Sequence, residues 1–79
     1  MYVYVLKSIV APGKFYVGLT DNVETRLAQH NKGQSYSTRK HKPWRVICKL
    51  WFERSATAER FEQYLKSGSG RAFSKRHLY

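Results

Sequence analysis

Tyr4, Tyr16, Arg26, His30 and Glu62 are polar side chains at positions where the surrounding pattern turns inward. Glu62 lies in "AERFEQYLK", on the helical stripe formed by Ala58, Phe61 and Leu65. His30 falls on an earlier stripe, three residues after Leu27 and seven after Val23, with Arg26 at the edge. Tyr4 and Tyr16 sit in two β-rich runs. An unpaired charge taken out of water is strongly unfavourable, so Arg26 and Glu62 need partners. A structural Arg26–Glu62 bridge is the stronger reading for either residue alone. As a set, the five residues suit cleavage of a phosphodiester. That reaction needs an activated water, charge stabilisation on the phosphoryl oxygens and neutralisation of the leaving oxygen. One carboxylate can anchor one Mg²⁺ that keeps most of its waters. Arginine offers a planar fork to phosphate. Tyrosine and histidine can relay a proton if the metal or a nearby cation lowers their pKa values.

The elements that must position these groups are legible. "YVYVLKS" reads as a strand, "IVAPGK" as a turn at Pro12-Gly13 and "KFYVG" as a second strand, together a hairpin. Val3 and Val5 share one face of the first strand, and Tyr2, Tyr4 and Leu6 the other. In the second strand Phe15 and Val17 oppose Tyr16 and Gly18. "TDNVETRLAQHNKG" predicts a helix capped by Asp21 with Glu24, Gly33 following its end and Asn31 closing it off. "GQSYSTRKHKPW" has no period and reads as a loop. "RVICKLWFE" predicts a third strand with Val46, Cys48, Leu50 and Phe52 on one face. Ser55 is the expected cap of the helix that carries Glu62. "SGSG" ends that helix, and Ser69 is the expected cap of a last short one. The outline is α/β (α+β), β-β-α-β-α-α, a single domain over residues 1–79 with an at least partly antiparallel three-stranded sheet.

Composition narrows the partner. Fifteen Lys and Arg against five Asp and Glu give a formal net charge of +10. So basic a small domain meets a polyanion, first of all nucleic acid. No apolar run approaches a membrane span, and the start lacks the pattern of a signal peptide. Cys48 is alone, patterns as core and has no zinc-spaced companions. The expected setting is intracellular and, for a bacterial-type protein, cytoplasmic.

The spacing resembles a known family. "YVY" at Tyr2–Tyr4 and "YVG" at Tyr16–Gly18, with an Arg eight residues after the Gly and a His four further on, are similar to the paired signature of the GIY-YIG nucleases. "RFEQYLKSGSGRAF" continues the likeness, which runs nearly end to end with the small single-domain members. The resemblance implies a three-stranded antiparallel sheet flanked by helices and metal-dependent hydrolysis of DNA, with Mg²⁺ or Mn²⁺ as one cation per site. It implies that Tyr4 and Tyr16 are the motif tyrosines, one of which helps deprotonate the water. Arg26 then contacts phosphate, His30 assists the proton relay, and Glu62 is the single metal ligand. Tyr2 replaces the first Gly of the signature and Val17 replaces Ile. Leu19 stands where some members place a Lys near the catalytic Tyr, which shifts the burden to the metal and His30. No Asn follows Asn31, whereas some restriction enzymes of the family carry a late one.

Arg39, Lys40 and Lys42 in the loop are expected against DNA phosphates, joined by Lys14, Arg45, Lys66 and Arg71. Tyr36 is a candidate for stacking on a base, while Trp44 is expected in the core edge. His41 and His77 are expected to be exposed. "KSGSGR" lacks the spacing of a nucleotide-binding loop and reads as a helix-breaking turn. RNA is a second candidate substrate, membrane is not a partner, and the oligomeric state stays open between monomer and weak dimer. Without an appended recognition domain, weak sequence specificity is expected, since phosphate contacts do not read bases. The alternative is a nucleic-acid-binding module of the same fold with little activity. A basic protein of RNA assemblies, indifferent to Glu62→Ala, is a third.

Overall fold

The computed structural model describes all 79 residues. Its elements are β1 (Tyr2–Ser8), β2 (Phe15–Thr20), α1 (Val23–Asn31), β3 (Trp44–Trp51), α2 (Ser55–Lys66) and α3 (Gly68–His77), with a single 3₁₀ turn at Arg39–His41. The three strands are antiparallel in the order β2-β1-β3, so β1 is central. This is the α+β order expected from the sequence. The hairpin closes where Ser8 N–H donates to Lys14 O (3.0 Å) and Gly13 turns the chain at φ +78°. That left-handed conformation is open to glycine at no steric cost.

Apolar residues from both faces of β1 feed the core. Val3 and Val5 pack with Ala58 and Leu65 on the α2 side, flanked by Phe15, Val17, Leu19, Phe61 and Phe73. Tyr4 and Leu6 pack with Val23 and Trp44 on the α1 side, flanked by Tyr16, Leu27 and Val46. A strand covered on both faces reads as a continuous apolar run, which explains the density of Val, Leu and Tyr in β1. β2 is an edge strand, and the end of α2 and the start of α3 lie along it.

Four local expectations are corrected. Cys48 pairs with Val5 but Val46 pairs with Leu6, leaving Ile47 as the extra residue of a β-bulge. Val46 therefore faces α1, while Cys48 and Phe52 pack on the α2 side. Asn22, not Asp21, caps α1, accepting from Thr25 N–H at 3.0 Å. Ser55 is the first residue of α2; the cap is Arg54, with no side-chain bond. α3 is capped by Ser67 instead of Ser69, through a bond from Gly70 N–H at 3.1 Å. The asparagine at the end of α1 does more than close the helix. Asn31 Nδ2 donates to Trp44 O (3.0 Å) and its Oδ1 accepts from Trp44 N–H (2.6 Å), pinning α1 to the start of β3.

Candidate active site

The register of β1 and β2 sets the first two groups. Tyr4 pairs with Gly18 and Leu6 with Tyr16, so the two tyrosines are diagonal neighbours on the α1 face. Their ring centroids lie 6.3 Å apart. Gly18 makes room for this. A Cβ there would sit 2.5 Å from the Tyr4 hydroxyl, so the Tyr4 ring lies directly over the glycine backbone. The final Gly of the second motif is thus a packing requirement of the first motif's Tyr.

α1 brings His30 under this pair. His30 is 0 % exposed, and its ring stands 5.0 Å from that of Tyr16 in an edge-on contact. Tyr4 Oη and His30 Nε2 are 2.8 Å apart. On the other side of the ring His30 Nδ1 lies 2.6 Å from Thr38 Oγ1. Thr38 is itself 0 % exposed, and its carbonyl accepts the Trp44 indole N–H at 2.8 Å. Sequence reasoning missed Thr38. It lies in an aperiodic loop, and the only hint was a small hydroxyl residue among cations.

Burial pushes the Tyr4 phenol up to about 12; the neighbouring Tyr16 and Glu62 add to this, while Arg26 pulls it down. Burial also lowers His30 to about 4, helped by the Arg26 guanidinium. Both side chains are therefore neutral at neutral pH. The expected lowering of pKa holds for His30, mainly through desolvation. For Tyr4 the resting protein does the opposite, because burial outweighs the pull of Arg26.

Arg26 is half-buried and donates to Gln29 Oε1 at 2.8 Å. Glu62 is 7 % exposed. One of its oxygens meets Lys66 Nζ at 2.5 Å and the other accepts from Gln63 Nε2 at 3.1 Å. The two inward charges thus find separate partners and do not bridge each other. Glu62 lines an open cleft with Leu19, Gln63 and Tyr64, and its charge adds to the raising of Tyr4. Leu19 packs on the α2 side, on the face opposite Tyr4, so its side chain is directed away from the phenol.

No group of three His, Cys, Asp or Glu is assembled anywhere in the chain. Glu62 is the one buried carboxylate. It already draws a cation, Lys66, into its vicinity, so the donor set fits a divalent ion held by one carboxylate and water, not an all-protein cage.

The expected phosphate contacts separate into two groups. Lys14, Lys66 and Arg71 line one pocket of about 610 Å³ between β2 and α3, with Lys75, Tyr16 and Tyr79. Sequence reasoning missed Lys75 as well, since nothing sets it apart from the other cations of α3. Arg39, Lys40, Lys42 and Arg45 are spread over the loop and the start of β3, on the other side of the sheet. Tyr36 is exposed with the Arg39 guanidinium 4.8 Å from its ring centre, and Trp44 is buried, as expected. His77 is exposed, whereas His41 is half-buried, its carbonyl accepting from Ser8 Oγ at 2.6 Å.

Comparison with known proteins fits this arrangement. The GIY-YIG catalytic domain model matches residues 1–76. The chain belongs to the GIY-YIG family. It is 39 % identical over 71 residues to a structure-specific endonuclease subunit SLX1 from Debaryomyces hansenii, covering 81 % of this chain and 20 % of that protein. A second SLX1 subunit, from Kluyveromyces lactis, is 35 % identical over 66 residues, 75 % of this chain and 23 % of that one. A UPF0213 protein of Nitratidesulfovibrio vulgaris is 35 % identical over 66 residues, 82 % of this chain and 58 % of that one. This GIY-YIG chain therefore spans about a fifth of the SLX1 relatives and somewhat over half of the UPF0213 protein. No solved structure gives a significant match. Within the GIY-YIG frame, the two tyrosine motifs lie on the adjacent strands β1 and β2, and α1 and α2 supply Arg26, His30 and Glu62.

Proposed function

We propose that this domain is a metal-dependent endonuclease that hydrolyses DNA phosphodiester bonds. The observation that carries the reading is the meeting of Tyr4, Tyr16 and His30 on the α1 face beside a buried carboxylate, Glu62, whose charge reaches Tyr4. Glu62 would hold Mg²⁺ or Mn²⁺, one ion per site. When bound, such an ion supplies positive charge to the phosphoryl oxygens and makes its coordinated water more acidic. The protein's own groups divide the remaining work. Arg26, anchored by Gln29, presents its remaining N–H donors to a phosphate oxygen. Tyr4 and Tyr16 flank the place where the attacking water would stand. The buried His30 keeps the Tyr4 hydroxyl in place.

Two cationic surfaces support DNA as substrate, the pocket of Lys14, Lys66, Arg71 and Lys75 and the loop of Arg39, Lys40, Lys42 and Arg45. Of these eight, only Lys66 has a carboxylate partner. Such contacts position a duplex without reading it, so sequence specificity is low. Likeness to structure-specific endonuclease subunits supports a place in DNA repair or recombination.

The decisive experiment is cleavage of supercoiled plasmid and of a branched oligonucleotide, with Mg²⁺, Mn²⁺ or EDTA, by wild type and Glu62→Gln. Metal-dependent cutting that disappears in the variant is the expected result. Salt-dependent DNA binding with no cutting by either protein would leave a binding module in its place.

A further inference from the structure

We propose that Tyr36, backed by Arg39, is a stacking site for an unpaired base of the DNA, so that this domain holds DNA with a single-stranded arm more tightly than plain duplex. The inference rests on DNA as the substrate of the proposed function and adds a specificity-determining residue to it.

A single exposed ring means little by itself. What sets Tyr36 apart is its surroundings. The other exposed aromatic rings each lean on an aromatic neighbour: Trp51 on Tyr2, Tyr64 on Phe61 and Phe73, and Tyr79 on Phe15. Tyr36 is the most exposed of them at 83 %, and its ring contact is a guanidinium, that of Arg39, 4.8 Å from the ring centre. With one face backed by Arg39 and so much of the residue in solvent, the other face of the ring is open.

The backbone that presents this ring is tied down on both sides. Before it, Gln34 N–H donates to Gln29 O at 3.1 Å. After it, Ser35 O accepts from Thr38 N–H (3.3 Å) and Arg39 N–H (3.0 Å), closing a turn around Tyr36. Thr38 is fully buried, takes the Trp44 indole N–H on its carbonyl and meets the His30 ring with its hydroxyl. The same short loop therefore touches the buried side of the site and holds Tyr36 in solvent. Its cations complete the complementarity. Arg39, Lys40 and Lys42 have no carboxylate partner, so they are free for the phosphates that flank a stacked base.

An aromatic ring beside unpaired cations matches a nucleotide chain, and stacking on such a ring is tolerant of sequence because every base has a π-face. In a duplex both faces of a base are covered by its neighbours. Tyr36 can therefore engage only a base that has left the stack. Duplex binding then belongs to the pocket of Lys14, Lys66, Arg71 and Lys75, and an unpaired arm to the loop.

The test is fluorescence anisotropy in EDTA at one salt concentration, for wild type, Tyr36→Ala, Tyr36→Phe and Tyr36→Leu. Three DNAs are compared: a plain duplex, the duplex with a single-stranded arm, and the same arm built from abasic sugar-phosphate units. Wild type should bind the base-bearing arm about 5–150-fold more tightly than the abasic one. Tyr36→Ala and Tyr36→Leu should lose that preference with duplex affinity unchanged, and Tyr36→Phe should keep it. Equal binding of the two arms by wild type overturns the inference, as does a Tyr36→Ala or Tyr36→Leu protein that still prefers bases. A loss of equal size on all three DNAs also overturns it, making Tyr36 a backbone contact. Absence of DNA binding by wild type would sink the DNA reading and this inference with it. Binding without cutting, in the plasmid assay above, would sink only the nuclease.

Discussion

The two sides of the site are built on opposite principles. On the α1 side Tyr4, His30 and Thr38 form a dry chain of buried hydrogen-bond contacts. Along the β2 edge, Glu62 and Lys66 meet as charges beside an open pocket lined by further cations. A buried hydrogen bond is costly to leave unmade, so the dry side holds geometry. An i,i+4 ion pair with a half-exposed lysine is worth only about 0.3–0.5 kcal/mol, so the edge is easily rearranged. The difference teaches a division of labour. On the proposed nuclease reading, the sheet face would position the phenol, while the edge would exchange its cation for what the substrate and solvent bring.

The sharpest way to break this division is to neutralise the edge without touching the chain. Glu62→Gln keeps the shape of the side chain and removes its charge. Cleavage should fall by at least about 10²–10³-fold, the drop expected when a main source of charge stabilisation goes. Thermal unfolding should change by less than about 1 kcal/mol, measured by circular dichroism. A Gln variant that cuts at wild-type rate would place the metal elsewhere.

The dry side should respond to pH instead. His30 has a folded pKa of about 4 against an ordinary value of 6.5. The unfolded chain therefore binds the extra proton first, and stability falls as pH drops from 6.5 through 4. The decrease on completing this range is about 3 kcal/mol, from roughly 1.4 kcal/mol per pKa unit. In His30→Gln, urea titrations across the same window should show that much less acid sensitivity than wild type. Equal slopes for the two proteins would mean that the ring is not held neutral.

How much of this is legible in the sequence depends on whether a pattern has a period. Strands β1 and β2 and the inward turn of Tyr4, Tyr16, His30 and Glu62 follow from spacings of two and of three to four residues. The face of Val46 in β3 does not, because a bulge at Ile47 adds one residue, and a one-residue slip exchanges the faces. The caps fall one or two residues away from expectation, at Asn22, Arg54 and Ser67, since neighbouring Ser, Asp and Asn compete for the same role. Thr38 stays hidden because its contact with His30 is tertiary and its loop has no repeat. The Lys66–Glu62 pair is at i,i+4 and is available in the sequence, but its meaning is not. Lys66 reads as a phosphate contact there, and only the fold shows it holding the acid.

Gly18 tests how tightly the two strands must fit. Gly18→Ala puts a Cβ against the end of the buried Tyr4 ring, which must move away from His30. The expected cost is about 1–3 kcal/mol of stability, with a larger proportional drop in activity than in binding. Gly68→Ala is the control, since nothing lies within 4 Å of its new Cβ. Similar drops in activity for both variants would show that the Tyr4–Gly18 contact has no special role.

The smallest effects concern the two cationic surfaces, and they sharpen the picture of the edge. Removing one phosphate-binding cation should make the dependence of log K on log salt shallower by about 0.9 on duplex DNA. The pocket of Lys14, Arg71 and Lys75 shares Tyr16 with the proposed active face, so a strand lying across that site would pass over it. The double variant Arg71→Ala, Lys75→Ala should therefore flatten the slope by about 1.8. Lys40→Ala with Lys42→Ala, on the loop that follows Thr38, should flatten it by less than about 1. Both are read by fluorescence anisotropy in EDTA, where no strand is cut. The reverse ranking would put the duplex on the loop side of His30 and make the β2 edge a place for solvent and metal only.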